Sequence, residues 1–196
     1  MAEQIIDGTG GGFLAEVDNT NKLAVRASTS SDYDNQTVAG RAFNINTLFL
    51  PYALTADSAL IRLRNNESQP IILVGWFIGS VGLTGAGTAF VAQVFGDVSG
   101  FSGAETSGPL VNRNVGSAQP FAIEAFRPNS AGQTLVGSAA NPVLYQTQGA
   151  TSRVFGNVFI TVPQGGSEGV EIFGLGGAIT GGEIYTGFTG YVVPST

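Results

Sequence analysis

The chain has 196 residues, of which 29 are glycine, 8 are lysine or arginine, 14 are aspartate or glutamate, and none is cysteine or histidine. The missing cysteine excludes disulfides, thiolate nucleophiles and thiolate metal sites; the missing histidine excludes imidazole zinc ligands and every Ser-His-Asp triad. A net charge of −6 with only 11% charged residues offers no clustered cations for a phosphate backbone, which argues against a nucleic-acid partner.

Residues 1–21 hold Gly8-Thr9-Gly10-Gly11-Gly12 and Asp18-Asn19-Thr20-Asn21, and read as an arm ahead of a core that begins at Lys22. From there Leu23, Val25 and Ala27 alternate with Lys22, Arg26 and Ser28, the period of a half-buried strand. Residues 29–38, rich in Ser, Asp and Asn, read as a polar loop. Phe43, Ile45, Thr47 and Phe49 alternate with Asn44, Asn46 and Leu48 up to Pro51, a second strand. Ile61 and Leu63 oppose Arg62 and Arg64; a turn through Asn65-Asn66-Glu67-Ser68 leads to the apolar run 70–78, and the pair reads as a hairpin whose second strand is central and covered on both faces.

Residues 80–88 are turn-like and 89–95 strand-like. The stretch 96–120 is Gly-rich and reads as a surface loop or a partner contact. Shorter strands are expected at 121–126, 134–136 and 143–146, separated by Pro128 and Pro142. In the last third, Val154, Val158, Ile160 and Val162 alternate with Phe155, Asn157, Phe159 and Thr161; strands at 170–175 and 184–193 follow. Glycine at about 15%, twice the usual share of about 7%, agrees with many turns and few helices. The expectation is therefore all-β: an antiparallel β-sandwich, jelly-roll-like, with an extended Gly-rich arm at 1–21 and a single domain at 22–196. No run reaches the roughly 18 apolar residues of a membrane span, and Met1-Ala2-Glu3-Gln4 lacks the start of a signal peptide, so no membrane partner is expected and synthesis is placed in a cytoplasm.

Few residues suggest chemistry. Gly165-Gly166-Ser167-Glu168-Gly169 has the letters of a nucleophile elbow, but no histidine exists to take the serine proton, and a tight turn between strands accounts for the glycines. Gly8 to Gly12 lacks the spacing of a phosphate loop. Asp32 and Asp34, with Asp7 or Asp18, offer oxygen ligands for calcium, yet Thr37 and Phe43 stand where a calcium loop needs glycine and glutamate, so a solvated loop is expected. Glu168, Glu171 and Glu183 are the one acidic set from which a glycosidase pair could be drawn; the odd spacing of the first two puts them on opposite faces, and solvated positions are expected for all three. Trp76, inside the most apolar run, is expected in the core. Tyr185, Phe188 and Tyr191 read as cross-strand packing residues, with a binding face as the alternative. No catalytic, cofactor or metal residue is assigned.

The opening segment Ile5-Ile6-Asp7-Gly8-Thr9-Gly10, then Phe13-Leu14-Ala15-Glu16-Val17-Asp18 and Asn21-Lys22-Leu23-Ala24-Val25-Arg26-Ala27-Ser28-Thr29, resembles the N-terminus of small virion structural proteins of tailed bacteriophages. Ala42-Phe43-Asn44-Ile45-Asn46-Thr47 and Leu63-Arg64-Asn65-Asn66-Glu67 continue the likeness, which extends to about Ser80. The resemblance implies a non-enzymatic, β-rich protein of the virion, a decoration or cement protein on the outer capsid surface, whose partners are the major capsid protein or other virion proteins. In that setting Ile5, Ile6, Gly8, Gly10, Gly11, Gly12 and Phe13 are the candidate contact with a neighbouring subunit, because an extended segment can add to an exposed sheet edge. Capsid symmetry then favours a closed homo-oligomer, a trimer first. The alternative is a tail- or fibre-associated module that binds host-surface glycan, whose mark would be an exposed aromatic, Tyr185 or Tyr191, in a groove with Asn and Asp. A carboxylate-dependent glycan hydrolase is the third reading.

Overall fold

In a computed structural model, the described residues are 4–6, 12–14, 32–48, 50–51, 57–85, 90–137, 139–147, 152–173 and 178–195. The chain divides into two units, Met1–Ser31 and Asp32–Thr196. In the first, β1 (Gln4–Ile6) and β2 (Gly12–Leu14) pair antiparallel with Ile5 opposite Phe13, so the segment expected to be extended carries a short hairpin. Gly8, Gly10 and Gly11 lie outside the described residues, as does the strand expected from Lys22.

The second unit begins with α1 (Asp32–Val38), β3 (Ala42–Asn46), β4 (Leu50–Pro51), β5 (Ser58–Asn65), β6 (Ile71–Gly85) and β7 (Phe90–Gly96). It continues through β8 (Gly100–Phe101), β9 (Glu105–Ser107), β10 (Leu110–Asn112), β11 (Ile123–Pro128) and β12 (Leu135–Val136). The last four are β13 (Ala139–Thr147), β14 (Ser152–Val162), β15 (Ser167–Phe173) and β16 (Ile179–Val192). One sheet runs β10-β3-β16-β6-β14, with β4 also on β16; the other runs β13-β7-β15-β5-β11-β9. Every pairing among the described strands is antiparallel.

Alternation explains why the two sheets share one core. Phe43, Ile45, Trp76, Ile78, Val158, Ile184 and Phe188 from the first sheet join Ile61, Leu63, Ala92, Val94, Val170 and Ile172 from the second in a single buried cluster, a sandwich-like arrangement. Each fully buried aliphatic side chain contributes about 1.5–3 kcal/mol. The alternation read along β14 holds: Val158 and Val162 are buried, whereas Phe155 is 61% and Phe159 83% exposed. Pro142, expected to separate two strands, lies instead within β13, at the register shift between Ala140 and Leu144.

Several local expectations are overturned. The polar loop at 29–38 is in its described part the helix α1. Its carbonyl ends are held from far away: Asn114 Nδ2 donates to Val38 O at 3.1 Å and Asn112 Nδ2 to Gly40 O at 2.8 Å. Locally, Gly40 takes φ +72°, with Gly40 N donating to Thr37 O at 3.0 Å and Arg41 N to Gln36 O at 2.8 Å, the pattern that closes a helix on a left-handed residue. A seven-residue helix needs this tertiary support, since one so short is marginal alone. Tyr33 supplies more of it, packed on Tyr191 with centroids 6.5 Å apart.

The expected hairpin of β5 and β6 does not exist, because the two strands lie in different sheets. Both carry core residues, so the chain must cross from one layer to the other between them. Asn65, fully buried, ties this crossing to the one between β14 and β15: its Nδ2 donates to Gln69 O and Val162 O at 3.0 Å each, and its backbone O accepts from Gly165 N at 2.7 Å. The run at 70–78 is central in its sheet, but its outer face is only half-covered at Ile72, Val74 and Phe77. The Gly-rich stretch 96–120 is not an open loop; it contributes β8, β9 and β10, of which β9 and β10 extend the two large sheets. Among the described residues no helix is long and apolar enough to cross a membrane.

Candidate functional site

The residues singled out for catalysis are dispersed. Ser167 opens β15, no helix follows it, and its Oγ donates to Val98 O at 2.5 Å, so the hydroxyl proton is committed to a carbonyl. The turn before it joins strands of different sheets and is not the hairpin expected from its glycines. Glu168 and Glu171 do lie on opposite faces of β15, and Glu183 is on β16 in the other sheet. Glu168 is 7% exposed rather than solvated, because its position shares the inward parity of Val170 and Ile172. Asp32 and Asp34 sit in the first turn of α1 rather than in a loop, where negative charge complements the helix dipole. Asp7 and Asp18 are outside the described residues. Trp76 is in the core at 2% exposure.

Glu171 is half-buried, and burial pushes its carboxyl above the usual carboxylate range. Leu135 N donating to Oε2 at 2.8 Å works in the opposite direction, and the negative charge of Asp57 adds to the rise. The folded chain thus holds the Glu171 proton more tightly than the unfolded chain does. The stability this proton provides is fully present below the unfolded pKa and is lost as pH climbs through the folded one. Glu171→Gln keeps a carbonyl for Leu135 and removes the ionisation. Urea unfolding between about pH 4 and pH 7 should show a flatter stability profile for the variant and no loss at neutral pH; an unchanged slope would refute this account.

Among the described residues two clefts are candidates. The first, about 340 Å³, lies on the outer side of the second sheet and is lined by Arg62, Arg64, Asp97, Ser99 and the turn at Gly165 to Ser167. Arg62 is the buried cation of the two: its Nη2 binds Glu105 Oε1 at 3.0 Å and Oε2 at 3.2 Å, and its guanidinium lies 4.6 Å over the Phe126 ring. The cleft suits an anion poorly. The carboxylate of Asp97 offsets the cations, and the Ser99 and Ser167 hydroxyls are spent on Val136 O and Val98 O.

The second cleft, about 270 Å³, lies on the outer face of the first sheet between Asn46, Leu48, Phe77 and Tyr185. Phe77 is 6.3 Å from Tyr185 and 5.9 Å from Phe155, centroid to centroid, and Arg153 stacks 4.2 Å over Phe155. Beneath the rings are glycines. Tyr185 is the cross-strand partner of Gly79 and Phe77 that of Gly187, and a Cβ at either glycine would run into the facing ring. The rings therefore lean over the facing glycines. At the rim Leu48 is held at φ +58° and is 53% exposed. Its N–H donates to Asn46 Oδ1 at 2.9 Å, and its carbonyl accepts from the hydroxyl of buried Thr47 at 2.8 Å. No family model, curated protein or solved structure matches the chain.

Among the described residues, what lines this cleft is stacking surface and one amide. The three aromatics noted near the C-terminus do not form one face: Phe188 is fully buried in the core, Tyr191 is 8% exposed beneath Tyr33, and only Tyr185 reaches the cleft. Reading each strand alone missed Phe77, Asn46 and Leu48, since the aromatic-over-glycine pairs link residues more than a hundred positions apart. Of the arm residues assigned to partner contact, Ile5, Ile6, Gly12 and Phe13 lie in the β1–β2 hairpin.

Proposed function

We propose that this protein is a non-enzymatic virion structural protein, a jelly-roll subunit that decorates or cements the outer surface of a phage head. The observation that carries the reading is strand order. Take β3, β5, β6, β7, β13, β14, β15 and β16 as first to eighth: one sheet then contains them as first-eighth-third-sixth and the other as second-seventh-fourth-fifth. First pairs with eighth, second with seventh, third with sixth and fourth with fifth, as when one long antiparallel ribbon is wound around a common core. That winding supports a jelly-roll reading, the architecture of capsid and lectin domains. Strands β8 to β12 then form one insertion between the fourth and fifth strands.

The resemblance of the sequence up to about Ser80 to virion structural proteins of tailed bacteriophages gives the reading its direction, and the sparse charge suits a subunit surrounded by other protein. Val38, Val111 and Val115, exposed by 81%, 52% and 95%, lie around the end of α1 and β10, where Asn114 bonds to Val38 O, and offer an apolar contact for the capsid shell. The segment from Ile5 to Phe13 is the second contact, and a closed trimer fits a symmetric shell site. A cryo-EM map of purified particles is the test. Density for this chain at symmetric positions on the head is expected, with loss of binding but not of folding when residues 1–20 are deleted. Its absence from the head, or its confinement to the tail, would overturn the proposal.

A further inference from the structure

We propose that the cleft between Asn46, Leu48, Phe77 and Tyr185 binds a neutral carbohydrate, with one hexopyranose ring stacked on the aromatic faces and hydrogen-bonded to Asn46. This goes beyond the virion reading and does not depend on it.

Geometry comes first. Most cross-strand neighbours of an aromatic ring carry a Cβ that props the ring upright. Gly79 under Tyr185 and Gly187 under Phe77 have none, and a Cβ at Gly187 would come within 2.6 Å of Phe77 Cζ. Each ring leans across the strand so that its tip lies over the facing glycine, the two ring planes are inclined at 46° to each other, and both rings line the cleft. The face of an aromatic ring carries the negative end of its quadrupole and attracts weakly positive C–H groups. One side of a pyranose presents such C–H bonds, with hydroxyls around its edge.

Polarity comes second. The Asn46 Oδ1 is taken by Leu48 N–H at 2.9 Å, which leaves the amide N–H bonds for a ligand hydroxyl. Among the described residues no charged side chain lines the cleft; Arg153, the cation beside it, is stacked over Phe155. At about 270 Å³ it has the bulk of roughly nine waters at about 30 Å³ each, room for one hexose unit. A peptide strand would find no main-chain partners here, because Phe77 and Tyr185 sit on β6 and β16, each paired on both sides within the sheet.

Strain comes third. Leu48 occupies a left-handed backbone conformation that L-residues with branched side chains rarely adopt, and persists there only because Thr47 and Asn46 over-determine it. The consequence is an apolar wall at the mouth of the cleft. On the opposite side Phe155 continues the row of rings across β14, with the Arg153 guanidinium stacked over it.

Saturation-transfer NMR on the purified chain, with methyl glycosides of glucose, galactose and mannose and with N-acetylglucosamine, tests the proposal. Transfer from aromatic protons to the ring C–H protons of at least one sugar is expected. Tyr185→Ala should weaken that binding about tenfold or more. Because Tyr185→Ala removes packing over Gly79, Asn46→Asp serves beside it: the variant still accepts from Leu48 N–H, lacks the amide donors, and should bind about tenfold less tightly while melting normally. No transfer to any of the four sugars, or transfer undiminished in both variants, would overturn the proposal, including the case in which this face binds only protein.

Discussion

Trp76→Ala should lower the unfolding free energy by about 3–5 kcal/mol, among the largest losses expected from a single truncation in this molecule. The side chain is 2% exposed at the centre of the cluster shared by the two sheets, and truncation leaves a cavity that paired strands cannot collapse into. It also opens a polar chain. Trp76 Nε1 donates to Thr186 Oγ1 at 2.7 Å, the Thr186 hydroxyl donates to Phe77 O at 2.7 Å, and Thr186 N donates to Thr47 Oγ1 at 2.9 Å. Thr47 N returns a bond to Thr186 O at 2.9 Å, so β3, β6 and β16 are tied together inside the core. Trp76→Phe, which keeps most of the volume but deletes the donor and part of the ring system, should cost less, about 1–3 kcal/mol. Trp76 is the single tryptophan, so the comparison is made by circular dichroism in urea. A loss below about 1 kcal/mol for the alanine variant would mean that the core repacks and that this account is wrong.

Gly187→Ala should destabilise by about 3 kcal/mol or more, although it adds one methyl group. Gly187 lies between Asn46 on β3 and Phe77 on β6, and the new Cβ would overlap the carbonyl oxygen of Ile45 as well as the Phe77 ring. A flexible side chain can swing aside; a carbonyl in a paired strand cannot move without breaking the ladder. Gly100→Ala is the control. Nothing lies within 4 Å of its added Cβ, and the change should stay within about 0.5 kcal/mol of the parent. Equal melting of the two variants would show that β3 can shift away from β16, and would also undermine the close approach of the Phe77 ring to Gly187 in the cleft.

How far the sequence could be read differs from element to element. The β14 alternation is legible because a strand's period of two sorts its side chains without reference to any partner: Val158 and Val162 inward, Phe155 and Phe159 outward. The burial of Trp76 was legible for a similar reason, from an apolar run too long to face water. Helix α1 was not legible. Its seven residues carry no buried apolar stripe, and its end is held by Asn112 and Asn114, which reach it only after the chain has crossed the sandwich. The β5–β6 hairpin was misread because a short turn between two strands looks the same in sequence whether the strands pair or pass to opposite layers. Asn65, with its bonds to Gln69 and Val162, decides between these outcomes through contacts that span 97 positions.

The candidate cleft divides in the same way. That Tyr185 was aromatic, and so able to stack, was written in the sequence. That it lies over Gly79, beside Phe77 and opposite the strained Leu48, required the register of β16 on β6 and the position of β3 on the far side of β16. By itself the sequence determined what chemistry is absent, since no fold can supply a missing imidazole or thiol, and it determined an all-β chain, since alternation and glycine content act locally. Sheet membership, strand order and the faces that meet across the sheet were decided only by the tertiary structure. They depend on which antiparallel pairings bury the most apolar surface together, a choice made over the whole chain at once.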